Sequence, residues 1–85
     1  MDACKVLVVD DDSTTILLLK KMLEGMYAVE SAADGQEALD KAEDFRPDLM
    51  LLDVIMPGTG GIEVLTRIKR EYPETCVIML TASQN

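Results

Sequence analysis

Eighty-five residues with 48% hydrophobic and 28% charged side chains make one globular domain and exclude a disordered segment. Aromatic residues are only 4%, so the core must come from Val, Ile, Leu, Met and Ala. The net charge of −8, from 16 acidic and 8 basic residues, argues against a nucleic-acid-binding surface, which needs a basic patch.

The chain starts Met-Asp-Ala-Cys-Lys, which is not the basic n-region of a signal peptide, and no apolar run is long enough to span a bilayer. A soluble, cytoplasmic protein with no membrane partner is expected. Cys4 and Cys76 lack CxxC spacing and are expected as reduced core thiols.

Residues 5–10, Lys-Val-Leu-Val-Val-Asp, read as a buried parallel strand ending in a carboxylate. Asp11 and Asp12 follow directly, and Asp12 or Ser13 is the expected cap of a helix running to about Glu24. Ile16, Leu19, Leu23 and Met26 make its apolar stripe, with Met22 beside it; Lys20 and Lys21 suit its carboxyl end, and Gly25 its stop. Residues 27–32 predict a short, polar edge strand. Asp34 with Glu37 resembles a capping box opening a helix over 36–45, which Pro47 ends. Residues 49–53, Leu-Met-Leu-Leu-Asp, predict a strand buried on both faces, followed by a loop carrying Pro57, Gly58, Gly60 and Gly61. A third helix is expected from Ile62 to about Tyr72, with Ile62, Leu65, Ile68 and Tyr72 inward. Residues 76–80 give a fourth strand, closing with Thr81-Ala82. The methionines are expected as core filler.

The order β-α-β-α-β-α-β predicts an α/β fold with a parallel sheet. With strand order 2-1-3-4, Asp10, Asp11 and Asp53 converge at the crevice where the order reverses. Each carboxylate pair at ~4 Å repels by ~4 kcal/mol at an effective dielectric of 20. A divalent cation would relieve this, and an all-oxygen donor set without His favours Mg²⁺ or Mn²⁺ over Zn²⁺. Asp53 would then be placed as a nucleophile toward a phosphoryl group, with the Thr81 hydroxyl as a donor. Taken singly, each residue has a plainer reading: a turn aspartate for Asp53, an acidic helix start for Asp10 and Asp11, and a backbone-bonded hydroxyl for Thr81. Asp12 is read only in the plainer way.

Three stretches together carry a resemblance. Val8-Val9-Asp10-Asp11-Asp12, Leu51-Leu52-Asp53-Val54-Ile55-Met56-Pro57-Gly58-Thr59-Gly60-Gly61, and Val77-Ile78-Met79-Leu80-Thr81-Ala82 closely resemble bacterial response-regulator receiver domains, along essentially the whole chain, 1–85. The resemblance implies a flavodoxin-like three-layer sandwich and a two-component signalling module, not an enzyme, phosphorylated by a sensor histidine kinase or phosphotransfer protein. It implies Asp53 as phosphoacceptor, Asp10 and Asp11 as the acidic pair at the metal with Asp11 the direct ligand, and the Ile55 backbone carbonyl as a further ligand. It makes Thr81 the switch hydroxyl and Ala82 the small residue that leaves the phosphoryl group room.

Gly60 stands where many receivers have Asp. Receivers also go on to a helix, a fifth strand bearing a Lys that pairs with the phosphoryl group, and a last helix. The resemblance therefore describes a shortened receiver, and Lys20, Lys21, Lys41 and Lys69 all fall on predicted helices. The expected consequences are impaired phosphotransfer, an apolar edge at 76–80 and a sheet face partly bare beside the first helix. A fragment, a paired or swapped homodimer, or one piece of a longer product would each account for such surfaces. Two rival functions remain: a phosphorylation-independent interaction domain, and a Mg²⁺-dependent phosphatase of the haloacid-dehalogenase kind, to which Asp10-Asp11-Asp12 is similar as an Asp-x-Asp motif.

Overall fold

Four five-residue runs of mainly aliphatic residues form one parallel sheet in the computed structural model, which describes residues 3–53 and 60–80. The Ile55 carbonyl, the Met56-Pro57-Gly58 turn, Thr81 and Ala82 lie outside the described residues. The elements are β1 (Lys5–Val9), α1 (Ser13–Leu23), β2 (Ala28–Ala32), α2 (Gly35–Phe45), β3 (Leu49–Asp53), α3 (Gly61–Glu71) and β4 (Cys76–Leu80). The strand order is β2-β1-β3-β4, the order the resemblance implies. The fold is the flavodoxin-like α/β arrangement, with β1 and β3 adjacent where the order reverses.

The two sheet faces are covered unequally. Leu7 and Val9 of β1, with Met50 and Leu52 of β3, pack against Ala38, Leu39 and Ala42 of α2 and Val64 and Ile68 of α3. The alternate residues of β1, Val6 and Val8, are buried on the other face, the side where α1 packs against β1 and β2. Alpha-1 itself has no buried residue: Ile16, Leu19 and Leu23 are only half-buried, while Leu18, Met22 and Met26 are exposed. Leu49 and Leu51 are half-buried, so β3 is fully buried on one face instead of two. Ile78 of β4 is 46% exposed. The expected bare sheet face beside α1 is therefore present among the described residues.

Several local readings are corrected by the same asymmetry. Met50 is core, but Met22 and Met26 stand in solvent, Met26 being 70% exposed. Cys4 and Cys76 are free thiols and both exposed, Cys4 just before β1 and Cys76 at the first position of β4. In α3 the buried stripe is Gly61, Val64 and Ile68, with Leu65 and Tyr72 packed at its margin. Ile62 is 58% exposed, since 61, 64 and 68 share the i, i+3, i+7 face and 62 lies a residue off it.

Helix ends follow side-chain chemistry. Asp12 caps α1, and the helix closes with the Glu24 N–H donating to the Lys20 carbonyl at 2.9 Å. Its C-cap residue is right-handed, so Gly25 does not supply a left-handed stop. That conformation occurs at Arg46 (φ 53°), which ends α2 before Pro47 and lays its guanidinium 5.2 Å from the Tyr72 ring centroid. At the start of α2, Asp34 Oδ1 accepts the Glu37 N–H at 2.8 Å, and Glu37 Oε1 accepts the Ala33 N–H at 2.8 Å. The reciprocal bond of a capping box thus reaches one residue further out than the motif prescribes. Asp34→Ala should cost about 1 kcal/mol in urea denaturation, and Asp34→Asn much less.

Candidate functional site

Asp10 is held one residue beyond β1, where its N–H donates to the Ala32 carbonyl at 3.1 Å and so prolongs the ladder with β2. Val9 pairs with Leu52, which brings Asp10 level with Asp53 on the neighbouring strand. Asp11 follows at the surface. One carboxylate oxygen from each of Asp10, Asp11 and Asp53 lies within 4.8 Å of the others. Asp10 and Asp53 are half-buried and Asp11 is exposed.

The second link is the start of α1. The Asp12 N–H donates to Asp10 Oδ1 at 2.9 Å. The Asp12 carboxylate in turn accepts the Thr14 N–H at 3.0 Å and the Thr15 hydroxyl at 2.9 Å. The sequence suggested the cap but not its bond to Asp10; the signal available was the unbroken Asp10-Asp11-Asp12 run directly before a Ser-Thr-Thr helix start.

Electrostatics separate the two aspartates. Burial pushes the Asp10 carboxyl above its ordinary 3.8, the Asp12 N–H opposes this, and the charges of Asp53, Asp11 and Asp12 add to the rise. Asp12 lies below its ordinary value, first through the Thr15 hydroxyl and then the Thr14 N–H. For Asp10 the stabilising contribution is full below 3.8 and is lost as pH rises through the raised folded value. The difference in urea midpoint between the native chain and Asp10→Asn, followed over about pH 3–7, should therefore change in favour of Asn as pH rises.

These three carboxylates suit a hard divalent cation. They supply only oxygen, the chain contains no His, and a cation would offset both the burial that chiefly raises the Asp10 carboxyl and the neighbouring charges that add to it. Lysines make other contacts: Lys41 Nζ donates to the Ser31 carbonyl at 2.6 Å, and Lys5 Nζ donates to the Phe45 carbonyl at 3.1 Å. Lys5 is the lysine on a strand, at the opposite end of β1 from Asp10. A cleft of about 290 Å³ lined by Arg46, Pro47, Asp48, Tyr72 and Thr75 also opens at that opposite edge, away from the carboxylates.

The site is thus an acidic, cation-suited edge at the strand-order reversal of an open parallel sheet. The family model for the response regulator receiver domain matches residues 6–85. The chain belongs to that family, the phosphoacceptor modules of two-component signalling. The transcriptional regulatory protein ResD of Bacillus subtilis (strain 168) is 49% identical over 79 residues, which are 92% of this chain and 32% of ResD. The response regulator GacA of Pseudomonas syringae pv. syringae (strain B728a) is 39% identical over 83 residues, 94% of this chain and 39% of GacA. The chain thus spans about a third of the length of the curated relatives it matches.

Among solved structures, a CheY-like receiver domain protein from Methanospirillum hungatei JF-1 superposes with a TM-score of 0.93 at 33% identity, covering 99% of this chain and 68% of that one. The Thermotoga maritima response regulator TrrA, solved in complex with Mg²⁺-BeF, gives 0.88 at 39% identity over 95% of this chain and 71% of TrrA. No helix among the described residues is long and apolar enough to cross a membrane.

Proposed function

We propose that Asp53 is the phosphoacceptor of this receiver, and that Asp10, Asp11, Asp53 and the Ile55 carbonyl hold the Mg²⁺ (or Mn²⁺) that the transfer uses. The observation carrying this is the approach of the three carboxylates within 4.8 Å at the adjacent ends of β1 and β3. An Asp53 oxygen attacks phosphorus while the P–N bond of a phosphohistidine donor breaks and the electron pair leaves with the imidazole. The bound cation supplies charge neutralisation for the phosphoryl oxygens. Thr81 contributes the switch hydroxyl and Ala82 the space beside it, both by their place in the matching motif. The donor is a sensor histidine kinase or phosphotransfer protein in the cytoplasm, and the domain acts as a signalling module with intrinsic phosphotransfer and self-dephosphorylation.

The proposed unit is 1–85 as part of a receiver domain, with a paired or swapped assembly through the bare sheet face or the β4 edge. Incubation with acetyl phosphate and Mg²⁺, read by intact mass, tests the assignment: a single phosphoryl adduct that maps to Asp53 is expected. Mg²⁺ binding with no adduct would support the interaction-domain reading instead, and an adduct on Asp10 would support a phosphatase.

A further inference from the structure

Asp12 lies outside the ligand set and beside it, and its bonds run in two directions. Its backbone N–H holds Asp10 Oδ1 at 2.9 Å. Its side chain is tied forward into α1, to the Thr14 N–H at 3.0 Å and the Thr15 hydroxyl at 2.9 Å. Its own carbonyl already accepts the Ile16 N–H at 3.1 Å, so the residue is half inside the helix. Yet its backbone is extended, at φ −93° and ψ 110°. The two side-chain bonds favour that extended state, because they form only while Asp12 stands outside the helical turn.

We infer that Asp12, with Thr15, is a positioning residue for the cation site: the α1 cap fixes the backbone angle from which the Asp12 N–H orients the Asp10 carboxylate. This rests on the proposed cation site and adds to it a control point in α1. Without the cap, residue 12 is free to join the helix, and its N–H turns along the helix axis away from Asp10. Asp10 then loses the donor that selects one rotation of its carboxylate, in a place where neighbouring negative charge otherwise drives it outward. Partners that orient a ligating group typically change metal affinity by about 10–100-fold when removed.

The charge of Asp12 also attracts a cation, so the test must separate charge from geometry. Asp12→Asn removes the charge and keeps an oxygen able to cap Thr14. Asp12→Ala removes both. Ile68→Val, in the core and far along α3, lowers stability without touching either. Mg²⁺ titration of the full chain, followed by backbone amide shifts in the same samples, should show Asp12→Ala weakened by about tenfold relative to Asp12→Asn. Ile68→Val should bind as the native chain does. In the metal-free protein, the residue-12 amide proton should keep its downfield shift in Asp12→Asn and lose it in Asp12→Ala.

Thr15→Val, which keeps the Asp12 charge and removes the hydroxyl, should weaken binding in the same direction. Equal Mg²⁺ affinity for Asp12→Ala and Asp12→Asn would overturn the inference and leave the cation site standing. A native chain that binds no Mg²⁺ would overturn both.

Discussion

Asp53→Asn is expected to abolish acyl-phosphate formation while raising the stability of the metal-free fold. The amide has nearly the shape of the carboxylate, so the packing of Leu52 and Met50 against α2 and α3 is left intact. What changes is charge and nucleophilicity. An amide oxygen does not attack phosphorus as a carboxylate does. The same substitution removes one of the negative charges that push the Asp10 carboxyl upward, so the folded state is relieved. Mg²⁺ affinity should fall as well. Carboxylate pairs near a protein surface interact by about 4 kcal/mol at 4 Å, and losing even a third of such a term in attraction to the cation is about tenfold. Three readings on one sample check this: intact mass after acetyl phosphate, Mg²⁺ titration, and the urea midpoint without metal. Undiminished labelling of the variant would remove Asp53 from the role.

How much of this was legible in advance divides along the two faces of the sheet. Parallel pairing follows from the alternation of strands and helices, and the strand order from the family resemblance. Given that order, two apolar runs that each end in a carboxylate bring Asp10 to Asp53, which a one-residue slip of register would have separated. Helix faces were harder. In α2 the buried positions Ala38, Leu39 and Ala42 stand out in the sequence because polar residues surround them. Alpha-1 offered Ile16, Leu17, Leu18, Leu19, Met22 and Leu23, apolar nearly all round, and sequence could not show that this helix would bury none of them completely. In α3 the expected Ile68, Leu65 and Tyr72 do face the core, but Ile62 is as apolar as Val64 and only tertiary packing chooses between them. The site's hidden part was a backbone bond. The Asp12 N–H to Asp10 depends on dihedral angles at a cap, and residue type alone sets the cap without setting what its N–H meets.

Leu7→Ala and Leu18→Ala, two leucines eleven positions apart, should differ in cost by several-fold. Leu7 is fully buried in β1 with β2 and β3 on either side, and its side chain belongs to the cluster beneath α2 and α3. Truncation there removes buried methyl groups and leaves a cavity that a strand paired on both edges cannot collapse to fill. The expected loss is about 2–5 kcal/mol. A domain of this length holds about 4–13 kcal/mol in all, so Leu7→Ala should be largely unfolded on modest warming. Leu18 sits on α1 at 58% exposure, and its truncation should stay within about 0.5 kcal/mol. Urea denaturation of both variants, at two protein concentrations tenfold apart, makes the comparison informative about the bare face as well. A Leu18→Ala loss comparable to that of Leu7→Ala, growing with protein concentration, would mean that copies of the chain cover α1 in solution. A small, concentration-independent loss would mean that the exposed leucines of α1 stay in water, and that the stability of the fold resides in the α2–α3 side of the sheet.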